Sequence, residues 1–218
     1  MKSLLNCAAV LMLAACGGGS EAGNSSFGSF DQKNVGSAFS KDPAPDIQCS
    51  VVLYGDSIMR GEPLVQEGPQ RRIQRARPSW NVELRAVAGQ TGYEGAQLAM
   101  SDPRPTPAVV VLQWGVNDAT HRIRDFSLMR ALIDKVREEG SRPLLTGPSP
   151  TTNDIPSWLT VNTMLYAVAQ DSGTPWANWG AEPLPTLDGI HPTQASSDKL
   201  VDKLIDVLDA ECGAISRS

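Results

Sequence analysis

The chain has 218 residues, of which 41% are hydrophobic, and its formal net charge is -5 at pH 7. This charge is modest and no long basic run occurs, which argues against nucleic acid as a partner. Arg71, Arg72, Arg75 and Arg77 do cluster, but we interpret them as the solvated face of a helix.

The N-terminal segment has the pattern of a processing signal. Lys2 supplies a positive charge, and the apolar stretch that follows it ends at Leu13, too short to span a bilayer as a mature helix. The sequence Leu-Ala-Ala-Cys-Gly that ends at Gly17 resembles a bacterial lipobox, in which cleavage before the cysteine frees it to carry a lipid. We therefore predict a lipoprotein signal peptide over residues 1–15 and lipidation of Cys16. The alternative is an ordinary secretory signal with a fortuitous cysteine.

Lipidation of Cys16 would make the membrane a partner through a lipid anchor and locate the protein in the cell envelope. If the host is Gram-negative, glycine rather than aspartate after Cys16 resembles proteins forwarded to the periplasmic side of the outer membrane. Residues 16–46 are rich in Gly and Ser, with little apolar periodicity, which predicts a flexible tether. Residues 47–213 remain as one domain of ordinary size.

The cysteines point to one disulfide. Of the four in the chain, Cys7 lies in the signal peptide and Cys16 would be lipidated, which leaves Cys49 and Cys212. In an oxidising compartment these two are expected to pair, joining the first strand to the last helix. The alternative is two unrelated buried thiols.

Short apolar segments alternate with helical patterns along the domain. The predicted strands are Ser50–Tyr54, Asn81–Val87, Ala108–Trp114, Pro143–Gly147 and a weaker Thr174–Asn178. Apolar residues recur at helical spacing in three segments, 126–136, 158–168 and 200–208. Strands of continuous apolar character with helices between them predict an α/β fold whose parallel sheet is covered on both faces.

Three polar or glycine positions follow the predicted strands directly. Ser57 lies just past the first strand, Gly89 past the second and Asn117 past the third. Functional groups in parallel α/β sheets gather at the carboxyl ends of the strands. We therefore expect these residues to share one site.

The chain also contains the groups that acyl transfer through a serine requires. Ser57 is a weak nucleophile until a base removes its proton, and His191 is one of only two histidines. Asp188 can hold the other ring nitrogen of His191 and stabilise the imidazolium. The backbone N–H groups of Ser57 and Gly89 and the Asn117 amide can stabilise the developing oxyanion.

Four short blocks carry a family resemblance. They are Gly55-Asp56-Ser57-Ile58, the glycine of Val87-Ala88-Gly89-Gln90-Thr91, Gly115-Val116-Asn117-Asp118 and Asp188-Gly189-Ile190-His191-Pro192. In this order they resemble those of the SGNH hydrolases, also called the GDSL esterase/lipase family. One departure is Leu84, where the family often has asparagine; Gly92 is also near enough to replace Gly89 as a donor.

The resemblance implies a three-layer α/β/α sandwich of flavodoxin-like type, for which we count five parallel strands, with no metal or organic cofactor. It also implies Ser57 as nucleophile, Asp188 and His191 as the rest of a triad, and Gly89 and Asn117 as oxyanion donors. Three of the four blocks have an ordinary structural alternative: Ser57 as a helix N-cap, and the Asn117 and Asp188 blocks as turns.

The remaining candidates are less specific. Trp176 and Trp179 could form a platform for stacking on a sugar, although packing in the core or at its rim is the favoured interpretation. His121 could line the pocket or lie on a surface loop. The loop 148–153 is expected to border the pocket.

The function predicted from these residues is a lipid-anchored serine esterase acting on a small-molecule or glycan ester. Its small domain, with no long apolar lid, favours short acyl groups on carbohydrate. The alternatives are a lysophospholipase- or thioesterase-type lipid hydrolase, and a non-catalytic glycan-binding lipoprotein on the same scaffold.

Overall fold

The computed structural model describes residues 47–61 and 63–217. The predicted signal peptide, the lipidation site Cys16 and the tether of residues 16–46 lie outside the described residues. The strands are β1 (Ser50–Gly55), β2 (Asn81–Leu84), β3 (Val109–Gln113) and β4 (Arg142–Leu145). The helices are α1 (Ser57–Arg60), α2 (Pro69–Ala76), α3 (Gly92–Ala99), α4 (Val116–His121), α5 (Ser127–Glu138), α6 (Trp158–Ser172) and α7 (Gln194–Ile215).

The strands form a parallel sheet in the order β2-β1-β3-β4. Alternate residues of a strand face opposite sides, and β1 accordingly contributes to two apolar clusters. Leu53 packs with Ile73 of α2 and Leu204 of α7, whereas Val52 packs with residues of α3, α5 and α6, among them Ile133. The sheet therefore has helices on both faces, which confirms the predicted three-layer α/β fold.

The prediction of a fifth strand over Thr174–Asn178 is wrong. This segment runs beside β4 but forms only an isolated parallel bridge, between Leu145 and Trp176. Leu145 donates its N–H to the Pro175 carbonyl and accepts from Ala177 N–H, each at 2.9 Å. Pro175 has no N–H to extend the ladder, and Asn178 leaves the strand with a φ of +49°. Pairing ends there, and the sheet has four strands within residues 47–61 and 63–217.

The second and fourth predicted strands end earlier than expected, at Leu84 and Leu145. Pairing beyond β2 nevertheless continues, because Arg85 N–H donates to Leu53 and Val87 N–H to Gly55, at 2.8 and 2.9 Å. The chain after β2 therefore follows β1 as far as the end where Ser57 lies.

The arginine cluster lies on α2 and at its C-terminal end, and Arg72, Arg75 and Arg77 are ion-paired with acids rather than simply solvated. Arg72 contacts Asp202 of α7 through two nitrogens, and Arg77 pairs with Asp209 of the same helix. These pairs bridge α2 to α7 on one face of the sheet.

The structure contains the predicted disulfide between Cys49 and Cys212, whose Cα atoms are 5.7 Å apart. Both cysteines are buried. The bond closes a loop across a sequence separation of 163 residues, so in the chain-entropy model it stabilises the fold by about 4 to 5 kcal/mol. It joins the start of β1 to α7 at the end of the sheet opposite Ser57.

Candidate active site

The nucleophile candidate lies on a tight turn between β1 and α1. Asp56 caps α1, because its carboxylate accepts from Ile58 N–H at 2.9 Å. The side chain of Asp56 is completely buried, and this burial raises its pKa to about 7, against the lowering effect of the Ile58 bond. Gly55 permits the turn, since a Cβ there would lie 2.6 Å from the Cβ of Met59. Ser57 follows at the first position of α1.

Gln113 holds this turn from the end of β3, a contact that sequence reasoning missed. Its buried side-chain carbonyl accepts from the backbone N–H groups of Asp56 and Met59, each at 3.2 Å. The signal in the sequence is a glutamine that directly follows the apolar run 109–112. A polar residue at the end of a central strand is expected only where it has a hydrogen-bonding task.

Ser57, His191 and Asp188 form one hydrogen-bonded chain. Ser57 Oγ lies 2.9 Å from His191 Nε2, and His191 Nδ1 lies 2.7 Å from Asp188 Oδ2. Because a carboxylate can only accept, Nδ1 carries the proton and Nε2 is free to accept from the serine hydroxyl. The arrangement can therefore activate a serine for attack on a carbonyl carbon.

The loop before His191 orients its ring. The second carboxylate oxygen of Asp188 accepts from the backbone N–H groups of His191 and Ile190, at 2.8 and 3.0 Å. These bonds and the one from the imidazole ring hold the pKa of Asp188 far below its usual range. Asp188 therefore stays ionised at neutral pH, and the half-exposed position of its side chain also favours the charged form.

The loop that follows β4 is hydrogen-bonded to the loop that precedes His191. Thr152 and Asn153 donate their backbone N–H groups to the Gly189 carbonyl, at 3.0 and 2.9 Å. Gly189 has a φ of +92°, which an L side chain would resist. The expectation that the loop 148–153 borders the catalytic cavity is wrong for Pro150, Thr151 and Asn153, which line a separate cavity of about 440 Å³.

Asn117 and Gly89 line the same cavity as Ser57. Asn117 Nδ2 donates to the Gln90 carbonyl at 3.0 Å and lies 3.5 Å from Asp56 Oδ2. The second contact is at the limit of a hydrogen bond, so one N–H of the amide is held and the other is only weakly engaged. Gly89 has a φ of +78°. In the described part of the chain, no protein acceptor binds the N–H of Ser57 or Gly89.

Gly92, the alternative donor to Gly89, is already engaged. Its N–H donates to both carboxylate oxygens of Asp118, at 3.0 and 2.9 Å. Both residues are buried, and burial raises the pKa of Asp118 against the lowering effect of the Gly92 bond. Asp118 thus fixes the start of α3 and, through it, the turn that presents Gly89.

These groups line one cavity of about 390 Å³, to which Ser57, Gly89, Asn117 and His191 all contribute. Apolar side chains complete the walls, among them Ile58, Leu64, Val116 and Ile190. A nucleophile, a base and candidate oxyanion donors therefore face one open space that could accept a small ester.

The tryptophans and His121 lie elsewhere. Trp179 is completely buried in the core, so it cannot stack on a sugar. Trp176 is partly buried and packs edge-on against Tyr166, with ring centroids 5.7 Å apart. His121 ends α4 with an exposed side chain and is not among the residues that line the cavity.

Within residues 47–61 and 63–217, no group of three or more His, Cys, Asp or Glu side chains is placed to hold a metal ion. In the same residues, no helix is both long and apolar enough to cross a membrane. The absence of a cofactor stays a prediction.

The family model described as GDSL-like lipase/acylhydrolase matches residues 53–198. That span includes every member of the Ser57–His191–Asp188 chain and covers more than half of the sequence. The protein therefore belongs to this family and is a hydrolase, as the four sequence blocks predicted. No curated protein sequence matches the chain.

Solved structures of related enzymes share the fold. TesA is 22% identical, with a TM-score of 0.60, 73% of this chain covered and 97% of that one. The acetyl xylan esterase AlAXEase is 18% identical, with a TM-score of 0.62 and 73% and 99% covered. The lipase/acylhydrolase from Enterococcus faecalis is 16% identical, with a TM-score of 0.61 and 74% and 96% covered. At these identities the similarity concerns the fold alone.

Proposed function

We propose that the protein is a serine esterase that hydrolyses acyl esters through an acyl-enzyme intermediate. Ser57 attacks the carbonyl carbon while His191 takes its proton, and Asp188 stabilises the resulting imidazolium. His191 then protonates the leaving alcohol, and water repeats the sequence to release the acid. The observation that carries this proposal is the hydrogen-bonded chain Ser57–His191–Asp188 at the wall of an open cavity.

The tetrahedral intermediate places a negative charge on the former carbonyl oxygen. We assign its donors as the N–H groups of Ser57 and Gly89 and the weakly engaged N–H of Asn117. The support for this assignment is that all three residues line the same cavity. Donors already fixed before reaction lower the barrier without a cost in reorganisation.

For the substrate we propose a short acyl group, acetyl above all, on a carbohydrate alcohol. A niche of about 10 Å³ beside Ser57 and His191 has room for roughly one group the size of a water molecule or a methyl. That supports a short acyl chain. The carbohydrate alcohol is supported only by the predicted envelope location and by the acetyl xylan esterase among the structural neighbours.

A chain-length series tests the reaction and the acyl preference together. The chain without its signal peptide is expected to hydrolyse 4-nitrophenyl acetate, with kcat/KM falling from acetyl to octanoyl esters because longer chains do not fit the niche beside Ser57 and His191. Release of nitrophenolate at each chain length measures this. A maximum at octanoyl would favour a lipid acyl hydrolase instead, and no turnover of any ester would favour the non-catalytic glycan-binding lipoprotein.

We also propose that the protein is attached to the cell envelope through a lipid on Cys16. The support is the lipobox-like sequence before Gly17. Expression of the full chain in a lipoprotein-processing bacterium should yield a mature N-terminus at Cys16 and partition into the detergent phase. Cys16→Ser should remain unprocessed and carry no lipid by intact mass, whereas Cys7→Ser, the matched control, should behave as the unchanged chain. A mature N-terminus at any other residue contradicts the proposal.

A further inference from the structure

Arg60 is a cation at the catalytic cavity that has no ion pair in the described part of the chain. Its side chain is exposed, and it lines the cavity together with Ser57 and His191. The arginines of the neighbouring helix α2 differ in this respect, since Arg72 and Arg75 contact Asp202 and Glu67. An arginine that faces a substrate cavity without a protein carboxylate is available to a ligand.

Helical geometry brings Arg60 to the same face of α1 as the nucleophile. Arg60 N–H donates to the Asp56 carbonyl and Gly61 N–H to the Ser57 carbonyl, each at 3.0 Å. Residues three apart on a helix are neighbours, with Cβ atoms about 5–6 Å apart. The guanidinium group can therefore reach a substituent of an ester whose carbonyl carbon lies at Ser57 Oγ.

A second cavity of about 380 Å³ adjoins the catalytic one and shares Arg60 and Pro63 with it. Gln70, Arg71 and Leu84 also line this adjoining cavity. No acidic residue is among its described lining residues. Arg60 therefore brings its positive charge to the boundary between the two cavities. A local positive field of this kind favours an anionic group.

We propose that Arg60 binds a carboxylate or phosphate on the alcohol portion of the substrate, and that this selects anionic esters. The proposal rests on the esterase function proposed above. The short acyl group proposed there cannot extend from Ser57 into the adjoining cavity, so the group in that cavity belongs to the alcohol. Arginine suits this role because its planar fork binds both oxyanions through paired hydrogen bonds.

Matched acetyl esters test the proposal. The probes are 4-acetoxyphenylacetate, 4-acetoxybenzyl phosphate, the neutral 4-acetoxyphenylacetamide and the cationic (4-acetoxybenzyl)trimethylammonium. For each, kcat/KM is measured at low and at high salt and divided by that of the neutral ester. The variants are Arg60→Gln and Arg60→Lys, with Arg75→Gln as a control because Arg75 pairs with Glu67 and lines neither cavity.

The unchanged protein is expected to prefer an anionic ester over the neutral one, mainly through KM. Arg60→Gln should reduce that ratio about tenfold, the effect of losing one charge-assisted hydrogen-bonded pair. Arg60→Lys should retain part of the preference, because charge remains but the fork is lost. High salt should weaken the preference of the unchanged protein. Arg75→Gln should keep the full ratio.

The anionic ester whose preference over the neutral ester depends more on Arg60 identifies the kind of substrate. A carboxylate indicates an acidic sugar, and a phosphate indicates a phosphorylated alcohol. Equal ratios in the unchanged protein and Arg60→Gln, with normal turnover of the neutral ester, would overturn the role of Arg60 while leaving the esterase function in place. If the unchanged protein hydrolyses none of the esters faster than Ser57→Ala does, both proposals fail.

Discussion

Replacing Ser57 by alanine is expected to lower kcat for acetyl ester hydrolysis roughly a million-fold, to the residual rate that binding and oxyanion donors support. The reason is the contact of Ser57 Oγ with His191 Nε2 at 2.9 Å, without which no nucleophile is activated. His191→Ala should lose nearly as much, because the hydroxyl then has no base. Steady-state release of nitrophenolate measures both.

The double variant Ser57→Ala with His191→Ala should lose little more than either single variant, since the residues act as one unit. A serine-directed organophosphate should label the unchanged protein once, on the peptide that contains Ser57. Ser101→Ala is the matched control: Ser101 is exposed just after α3, and among the described residues its hydroxyl bonds only to the Leu98 carbonyl.

Label on another serine, or undiminished hydrolysis by Ser57→Ala, would contradict the mechanism and favour the non-catalytic alternative. Multiplicative losses in the double variant would show that His191 acts independently of Ser57. Unchanged melting temperatures are expected for both single variants, because Ser57 and His191 lie at the cavity wall rather than in the apolar core.

The fold could be predicted because the central strands are distinctive. β3 is buried throughout its length, and its sequence is an apolar run bounded by breaking residues, a local signal. The segment around Trp176 was predicted as a weaker strand because Pro175, Trp176 and Ala177 form a short apolar run. Pairing of this segment with β4 is limited to one bridge, because Pro175 has no N–H and the chain turns at Asn178.

Part of the candidate site could also be predicted, because its residues lie at the ends of strands that the sequence shows clearly. Ser57, Gly89 and Asn117 follow strands whose carboxyl ends meet, so locating the strands also located the residues. The supporting contacts were not predictable. Gln113 reaches back to Asp56 across 57 residues, and Asp118 to Gly92 across 26. Such pairs depend on the packing of separate elements, which no local pattern in one sequence encodes.

Asn117→Ala is expected to lower kcat about a hundredfold to a thousandfold, far less than Ser57→Ala. It removes one proposed donor to the oxyanion while the Ser57–His191 contact stays in place. KM should change little, because the lost hydrogen bond forms with the charge of the transition state rather than with the ground-state ester. Full kinetics on 4-nitrophenyl acetate measure both quantities.

Labelling with the organophosphate distinguishes the loss of an oxyanion donor from the loss of the nucleophile. Asn117→Ala should still be labelled on Ser57, more slowly than the unchanged protein, whereas Ser57→Ala should take up no label there. Asn81→Ala is the matched control, since Asn81 is exposed at the first position of β2, at the opposite end of the sheet. Undiminished kcat in Asn117→Ala would leave the N–H groups of Ser57 and Gly89 as the only oxyanion donors of this assignment. A loss as large as that of Ser57→Ala, with slow labelling retained, would show that Asn117 also positions the Gln90 turn to which its amide donates at 3.0 Å.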